Sequence, residues 1–326
     1  MDCLVPWDWW LVGAAAVATF GGIGGREGTK LVAPATVVQA ATRLTPEVVA
    51  RAFMSVGLAS EKTPISFPQD VSIDGKGWLA VLDLPYGKTY QKHAVAKRLE
   101  IASGLDVNQV RVFLDPDPVS ERRVRLWVSD IDVFAQKPVP SPLVKAEKWD
   151  LWQGVPFGLD ARERLITMPL VWSNPLVGAI PRMGKTFSAR LPAAAAALDP
   201  HTRLYVFNGK GDRAWAPFEE VAHVYGSGIR EEVVERLVNS LTDLVADMNS
   251  RYERMNSLPA EQCPEAKLTP ALAQSRRMNM PLTVVAIDEI QRYLEHPKHG
   301  EKILDLLTDL VKVGPAAGII LVPATQ

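Results

Sequence analysis

Eight residues in the middle of the chain, Ala179-Ile-Pro-Arg-Met-Gly184-Lys185-Thr186, combine the residue types that hold a chain of phosphates. They follow the short apolar run Leu176–Gly178 and precede a stretch patterned as a helix. A strand that delivers a tight loop into a helix N-terminus presents backbone N–H groups to an anion. In that reading Gly184 lets the backbone approach closely, Lys185 neutralises phosphate oxygens, and the Thr186 hydroxyl is a hard ligand for Mg²⁺. Gly178, Ala179, Ile180, Pro181, Arg182 and Met183 form the body of the loop. Ala179 stands where such loops carry their first glycine, with Gly178 one position earlier. Alanine is tolerated there only if its φ is negative. The alternative for the same residues is an ordinary capped helix start.

A second group lies at the end of another apolar run, Leu282-Thr-Val-Val-Ala-Ile-Asp288-Glu289. Two acids at the tip of a buried strand fit a divalent-metal and hydrolysis site, with Asp288 holding Mg²⁺ and Glu289 polarising the attacking water. Acids in this position also serve as helix N-caps. With the loop at Lys185, they make ATP with Mg²⁺ the expected ligand pair. A third apolar strand, Gly318–Pro323, leads to Gln326, a candidate for contacting the γ-phosphate or else a surface amide. Asn208-Gly-Lys210-Gly-Asp212 follows a fourth apolar run, as either an active-edge loop or a solvated turn. His296 and His299 have a metal-ligand spacing beside Glu295, but Pro297 interrupts them and no third ligand is evident. Cys263 lacks a partner for chemistry.

These residues need a scaffold. Beyond residue 148, strand-like segments alternate with helical ones: Leu165–Val171, Leu176–Ile180, a helix from Lys185, Leu204–Asn208, a long helix, Leu282–Ile287, another helix and Gly318–Pro323. That alternation predicts an α/β unit, a mostly parallel sheet covered by helices. Within the long helix, Val234, Leu237, Leu241, Leu244, Met248, Tyr252 and Met255 recur at helical spacing and predict a core-facing stripe.

Upstream, residues 45–130 read as a small α+β module. A helix starts at Thr45-Pro46, strands run over Ile65–Val71 and Gly77–Leu84, and Asp74-Gly75 turns between them. A second helix follows Thr89 with Val95, Leu99 and Ala102 inward, and two more strands close the module. Residues 135–148, AQKPVPSPLVKAEK, read as an extended linker. The division expected is 1–30, 31–134, 135–148 and 149–326.

The uncharged stretch Trp9–Gly25 is nearly the roughly 20 residues a bilayer crossing needs. Trp7, Trp9 and Trp10 lie at one end, with Arg26 and Lys30 at the other. It reads as an N-terminal hydrophobic helix in the cell membrane, with the rest of the chain cytoplasmic; a buried Ala/Gly-rich helix and an uncleaved signal-like stretch are the alternatives. Composition sets the outer limits. The 326 residues carry 36 Lys+Arg against 37 Asp+Glu, which excludes a chain that is basic throughout but leaves room for a local DNA groove. Two cysteines exclude a disulfide scaffold.

In combination, GAIPRMGKT (178–186), IDE (287–289) and AAGIILVPATQ (316–326) resemble the motor domain of the FtsK/SpoIIIE family of double-stranded DNA translocases. DMNSRYERM (247–255) and NGKGD (208–212) are similar to further family segments, and DLPYGKT (83–89) is similar to the actinobacterial version found in conjugative plasmids and integrative elements. The resemblance covers roughly residues 45–326. It implies a RecA-like P-loop ATPase sheet, ATP and Mg²⁺ as ligands, a hexamer around DNA, a membrane anchor and ATP-driven DNA movement. Family members continue with further strands beyond the equivalent of Gln326, so the resemblance implies a C-terminally incomplete motor with an unpaired sheet edge at the last strand. Two other readings stay open: a non-catalytic remnant or assembly adaptor, and a coupling ATPase for single-stranded DNA.

Overall fold

Two kinds of strand are written into the chain, and they build two kinds of sheet. Strands in the first third form an antiparallel sheet whose apolar core lies under one face. Near-continuous apolar runs in the last half form a parallel sheet buried on both faces. The computed structural model describes residues 43–135, 137–180 and 182–325. The hydrophobic segment 7–25, Pro181 and Gln326 lie outside the described residues.

The first unit opens with helix α1 (Pro46–Ser55), capped by Thr45, whose hydroxyl accepts from the Val48 N–H at 3.4 Å. Its inner face buries Val49, Ala52 and Phe53. Strands β1 (Ser72–Ile73), β2 (Gly77–Asp83), β3 (Val112–Pro116) and β4 (Arg123–Ser129) form one antiparallel sheet in the order β1-β2-β4-β3. The expected strand at Ile65–Val71 is reduced to a single bridge, Ser66 to Asp83. Pro64 and Pro68 remove the donors a ladder needs. The helix expected after Thr89 begins as a wide π turn, Tyr90–Ala94, and becomes the α-helix α2 only over Arg98–Gly104. The wider turn shifts the buried face, so Ala94, Ile101 and Ala102 point inward while Val95 and Leu99 are exposed.

The second unit begins with a hairpin, β5 (Val155–Leu159) and β6 (Leu165–Met168), which pair antiparallel and stand apart from the main sheet. The hairpin meets the first unit through Arg162. This guanidinium lies 3.2 Å from Asp74 and 3.5 Å from Asp115, over the ring of Trp127. The chain then enters β7 (Val177–Gly178), helix α3 (Lys185–Leu198), β8 (Thr202–Asn208), β9 (Val224–Ser227) and helix α4 (Glu231–Asn256). It closes with β10 (Leu282–Asp288), the short helix α5 (Gln291–Leu294), helix α6 (Gly300–Val313) and β11 (Ile319–Thr325).

The main sheet is fully parallel, in the order β7-β11-β10-β8-β9. Every residue of β10 is buried, the signature of a central strand covered on both faces. β11 pairs with β10 on one side and β7 on the other. That second pairing covers only the tip of β11: over residues 319–323 it pairs with β10 alone, so the unpaired edge expected at the last strand is present there, with the Leu321 N–H held by the Asn174 side chain. β7 is shorter than the expected Leu176–Ile180, because only Ala324 and Thr325 of β11 extend far enough to pair with it.

The apolar cores are separate. One gathers Phe53, Leu82, Ile101 and Leu126 under the antiparallel sheet, and the other gathers Phe207, Leu241, Val285 and Ile320 around the parallel one. Leu143, inside the proline-rich stretch 135–148, belongs to the second. The expected α4 stripe is buried, with Tyr252 partly so, and it includes one residue of the opposite character. Arg251 is fully buried. Among the described residues no helix is long and apolar enough to cross a membrane.

Candidate functional site

In a parallel sheet the C-terminal strand ends share one edge, and loops there converge across strands that are distant in sequence. At this edge β7 feeds the loop at 179–184. Arg182 (φ 67°) and Gly184 (φ 85°) take left-handed backbone conformations, turning the chain into α3. Ala179 is not among the positive-φ residues, so its replacement of the expected glycine costs no strain. Gly184 occupies the N-cap and has no side chain with which to satisfy the first turn, whose N–H groups face the loop. Ile180 and Met183 are exposed, Thr186 is half-buried, and Lys185 turns inward to 8% exposure.

Lys185 points to the tip of β10. Its Nζ lies 2.6 Å from Glu289 Oε1 and 3.3 Å from Asp288 Oδ1, with all three side chains buried. The loop and the acid pair thus meet at one point, although their strands are not adjacent; β11 runs between them. Three ionised groups this deep are tolerable only as a paired, hydrogen-bonded set. Asp288 Oδ1 accepts from the Glu289 N–H at 3.0 Å and Oδ2 from the Trp215 indole N–H at 2.9 Å. Glu289 Oε2 accepts from the Gln291 amide, whose own oxygen accepts from Thr325 Oγ1 at 3.0 Å. Glu289 itself is left-handed at φ 51°, a conformation that costs about 1–3 kcal/mol in a non-glycine residue and clusters at functional sites.

The neighbouring strand tip completes the edge. Asn208, fully buried at the end of β8, accepts from the N–H groups of Lys210 and Gly211 and donates to Asp212. Gly209 donates to the Asp288 carbonyl at 2.9 Å, and Arg292 donates to the Gly209 carbonyl at 2.8 Å. A Cβ at Gly209 would come within 2.8 Å of the Glu289 carbonyl, so only glycine fits. Lys210 pairs with Asp212 at 2.8 Å on the exposed rim. That contact raises the Lys210 pKa and lowers that of Asp212, and the charges of Glu289 and Asp288 push Lys210 further up.

The donor set suits a hydrated divalent cation with a phosphate chain. The oxygens on offer, the Thr186 hydroxyl and the Asp288 carboxylate, are hard ligands of the kind Mg²⁺ takes, with Asp288 already oriented by two N–H donors. Trp215, Gln291 and Thr325 were not anticipated. Nothing in the spacing of Trp215 marks it, since it reaches Asp288 from a short helical turn after β8. Gln291 had a signal in standing two residues beyond Glu289. The Trp215 contact makes a prediction: Trp215→Phe keeps the ring but removes the donor, and the Mg²⁺ concentration for half-maximal nucleotide hydrolysis should rise about 10- to 100-fold. An unchanged Mg²⁺ dependence would show that Trp215 only fills space.

No protein-family model matches the sequence, and no curated protein matches it. Among solved structures the chain is similar to the pCW3 conjugation coupling protein TcpA in its monomer form with ATPγS, at 14% identity and a TM-score of 0.44, covering 86% of this chain and 76% of that one. It is also similar to the cytoplasmic domain of the Type VII secretion ATPase EccC of Thermomonospora curvata, at 18% identity and a TM-score of 0.42 over 69% of this chain. A further similarity is to EssC (ATPases 2 and 3) of Geobacillus thermodenitrificans, at 16% identity and a TM-score of 0.41 over 59% of this chain. The chain spans 24% of the EccC chain and 37% of the EssC chain.

Proposed function

We propose that the chain is an ATPase motor of the FtsK/SpoIIIE type that moves double-stranded DNA, in the setting of conjugative transfer. The observation that carries the reading is the meeting of Lys185 with Asp288 and Glu289 at the sheet edge. The DNA substrate rests on the motif resemblance of 178–186, 287–289 and 316–326. Residues 149–326 are the motor, 31–134 an assembly module joined through 135–148, and 7–25 the membrane anchor with the motor on the cytoplasmic side. The motor works as a homo-oligomer, a hexamer around DNA, in which a neighbouring subunit supplies an arginine to the phosphates.

In this mechanism the loop 178–184 and the first turn of α3 wrap the β-phosphate with N–H donors. Lys185 gives up its contact with Glu289 for the β- and γ-phosphate oxygens, which frees the Glu289 carboxylate to orient the attacking water and take its proton. Thr186 and Asp288 would hold Mg²⁺, which would neutralise phosphate charge when bound. Gln291 keeps the second Glu289 oxygen fixed while the first changes partner, and Gln326 is the residue that reads the γ-phosphate.

Two measurements test the proposal. Mg·ATP at a hundredfold excess over its dissociation constant should stabilise the fold by about 2.7 kcal/mol, visible as a raised melting temperature. Hydrolysis should rise with double-stranded DNA more than with single-stranded DNA, and that stimulation should fall steeply with salt because the contacts are to phosphates. Stimulation by single strands alone would assign the coupling-ATPase reading. No stabilisation by Mg·ATP would leave the adaptor reading.

A further inference from the structure

Away from the phosphate loop, at the N-terminus of α4, the structure supplies the ligands that the spacing of His296 and His299 lacked. Glu231 and Glu235 stand one turn apart on α4, and the chain between α5 and α6 brings both imidazoles against them. His299 Nε2 lies 3.0 Å from Glu231 Oε1 and His296 Nε2 lies 3.5 Å from Glu231 Oε2, so the rings straddle one carboxylate. The two rings are stacked, 5.3 Å apart and 27° from parallel, and both side chains are largely buried. Ligand atoms of Glu231, Glu235 and His299 all lie within 4.8 Å of one another.

The charge of the two carboxylates attracts a cation. The Lys298 ammonium already sits on them, 2.6 Å from Glu231 and 3.6 Å from Glu235. His296 Nδ1 is buried with no hydrogen-bond partner. It is the Nε2 of that ring, and not this nitrogen, that faces Glu231.

We infer that His299, Glu231 and Glu235 form a binding site for a divalent transition metal, with zinc the best match, and that the His296 ring packs on His299 beside it. One imidazole nitrogen and two carboxylates, with water in the fourth position, are ligand types Zn²⁺ takes at about 2.0–2.2 Å. Closing the present spacing needs only rotation of the two half-exposed glutamates. Lys298, 63% exposed, is displaced into solvent when the metal enters. The site ties α4 to the segment that follows Glu289, so its occupancy would stiffen the peptide carrying that residue. The inference does not depend on the nucleotide reading.

The test is a titration of the purified, metal-stripped full chain with Co²⁺, the visible stand-in for Zn²⁺, in excess Mg²⁺. One equivalent should bind and give the absorption bands of a low-symmetry imidazole–carboxylate site. His299→Ala should weaken binding at least tenfold. Lys298→Met should tighten it, because the competing ammonium is gone; this exposed substitution leaves the core untouched. Asp288→Asn should leave the equivalent unchanged, which separates this site from the one at the sheet edge. Absence of saturable binding, or superimposable curves for the wild type, His299→Ala and Lys298→Met, overturns the assignment.

Discussion

Glu289→Gln should lower kcat for ATP hydrolysis by about 10²- to 10⁴-fold while leaving Mg·ATP binding close to wild type. The argument is local. Glutamine keeps the shape and still accepts from the Gln291 amide, but it cannot take a proton from water. Lys185 keeps Asp288 at 3.3 Å as a counter-ion, so the buried ammonium is not left unpaired by the change. A loss of general-base function therefore separates from a loss of fold or of binding. Lys185→Ala should act differently, removing binding and hydrolysis together. The check is single-turnover hydrolysis beside equilibrium nucleotide binding for both variants. Hydrolysis by Glu289→Gln at the wild-type rate would move the base elsewhere.

Arg251→Ala should destabilise the chain by about 3–5 kcal/mol, the scale of stripping one partner from a buried charged network. Arg251 is fully buried beneath the sheet. Its guanidinium pairs with Asp247 at 2.7 Å and donates to the carbonyls of Pro281 at 2.8 Å and Ala317 at 2.9 Å. Those carbonyls stand just before β10 and β11, the strands that lead to Asp288 and to the tip beside Gln291. Desolvation pulls the Arg251 pKa down, and the ion pair with Asp247 pulls it back up. Alanine would take the guanidinium donor from the Ala317 carbonyl, leave the Pro281 carbonyl with only the Thr283 hydroxyl at 3.5 Å, and open a cavity between α4 and the sheet. Urea denaturation should show a lower midpoint at unchanged slope, and Arg251→Lys should recover part of the loss. Wild-type stability in Arg251→Ala would mean the guanidinium is ornamental.

Legibility in the sequence followed the physical strength of each signal. β8, β10 and β11 were readable because a strand covered on both faces must be apolar throughout, and a run such as Leu282–Ile287 has few other uses. The loop at 179–184 was readable because a strand, a glycine, a lysine and a hydroxyl residue in that order constrain backbone and side chain together, and Lys185 does meet Asp288 and Glu289. What failed depended on partners. Leu165–Val171 looks like the other apolar runs, yet β6 pairs antiparallel with β5, outside the main sheet. β9 escaped notice because four residues ending in Gly226-Ser227 carry little apolar pattern. Trp215 and Arg251 were hidden for a shared reason: Trp215 meets Asp288, and Arg251 meets the Pro281 and Ala317 carbonyls, across long sequence distances, and composition does not record where an indole N–H or a guanidinium will point. His299 wanted fellow ligands that only the packing of α4 could bring.

The central claim is that one phosphate chain is held between the loop at 179–184 and the acids at the tip of β10. A crystal structure with Mg²⁺ and a non-hydrolysable ATP analogue tests it most directly. The account predicts β- and γ-phosphate oxygens on Lys185 Nζ and on the first N–H groups of α3, with the metal between Thr186 and Asp288. A saturating analogue bound anywhere else, with Lys185 still closed on Glu289, would contradict it.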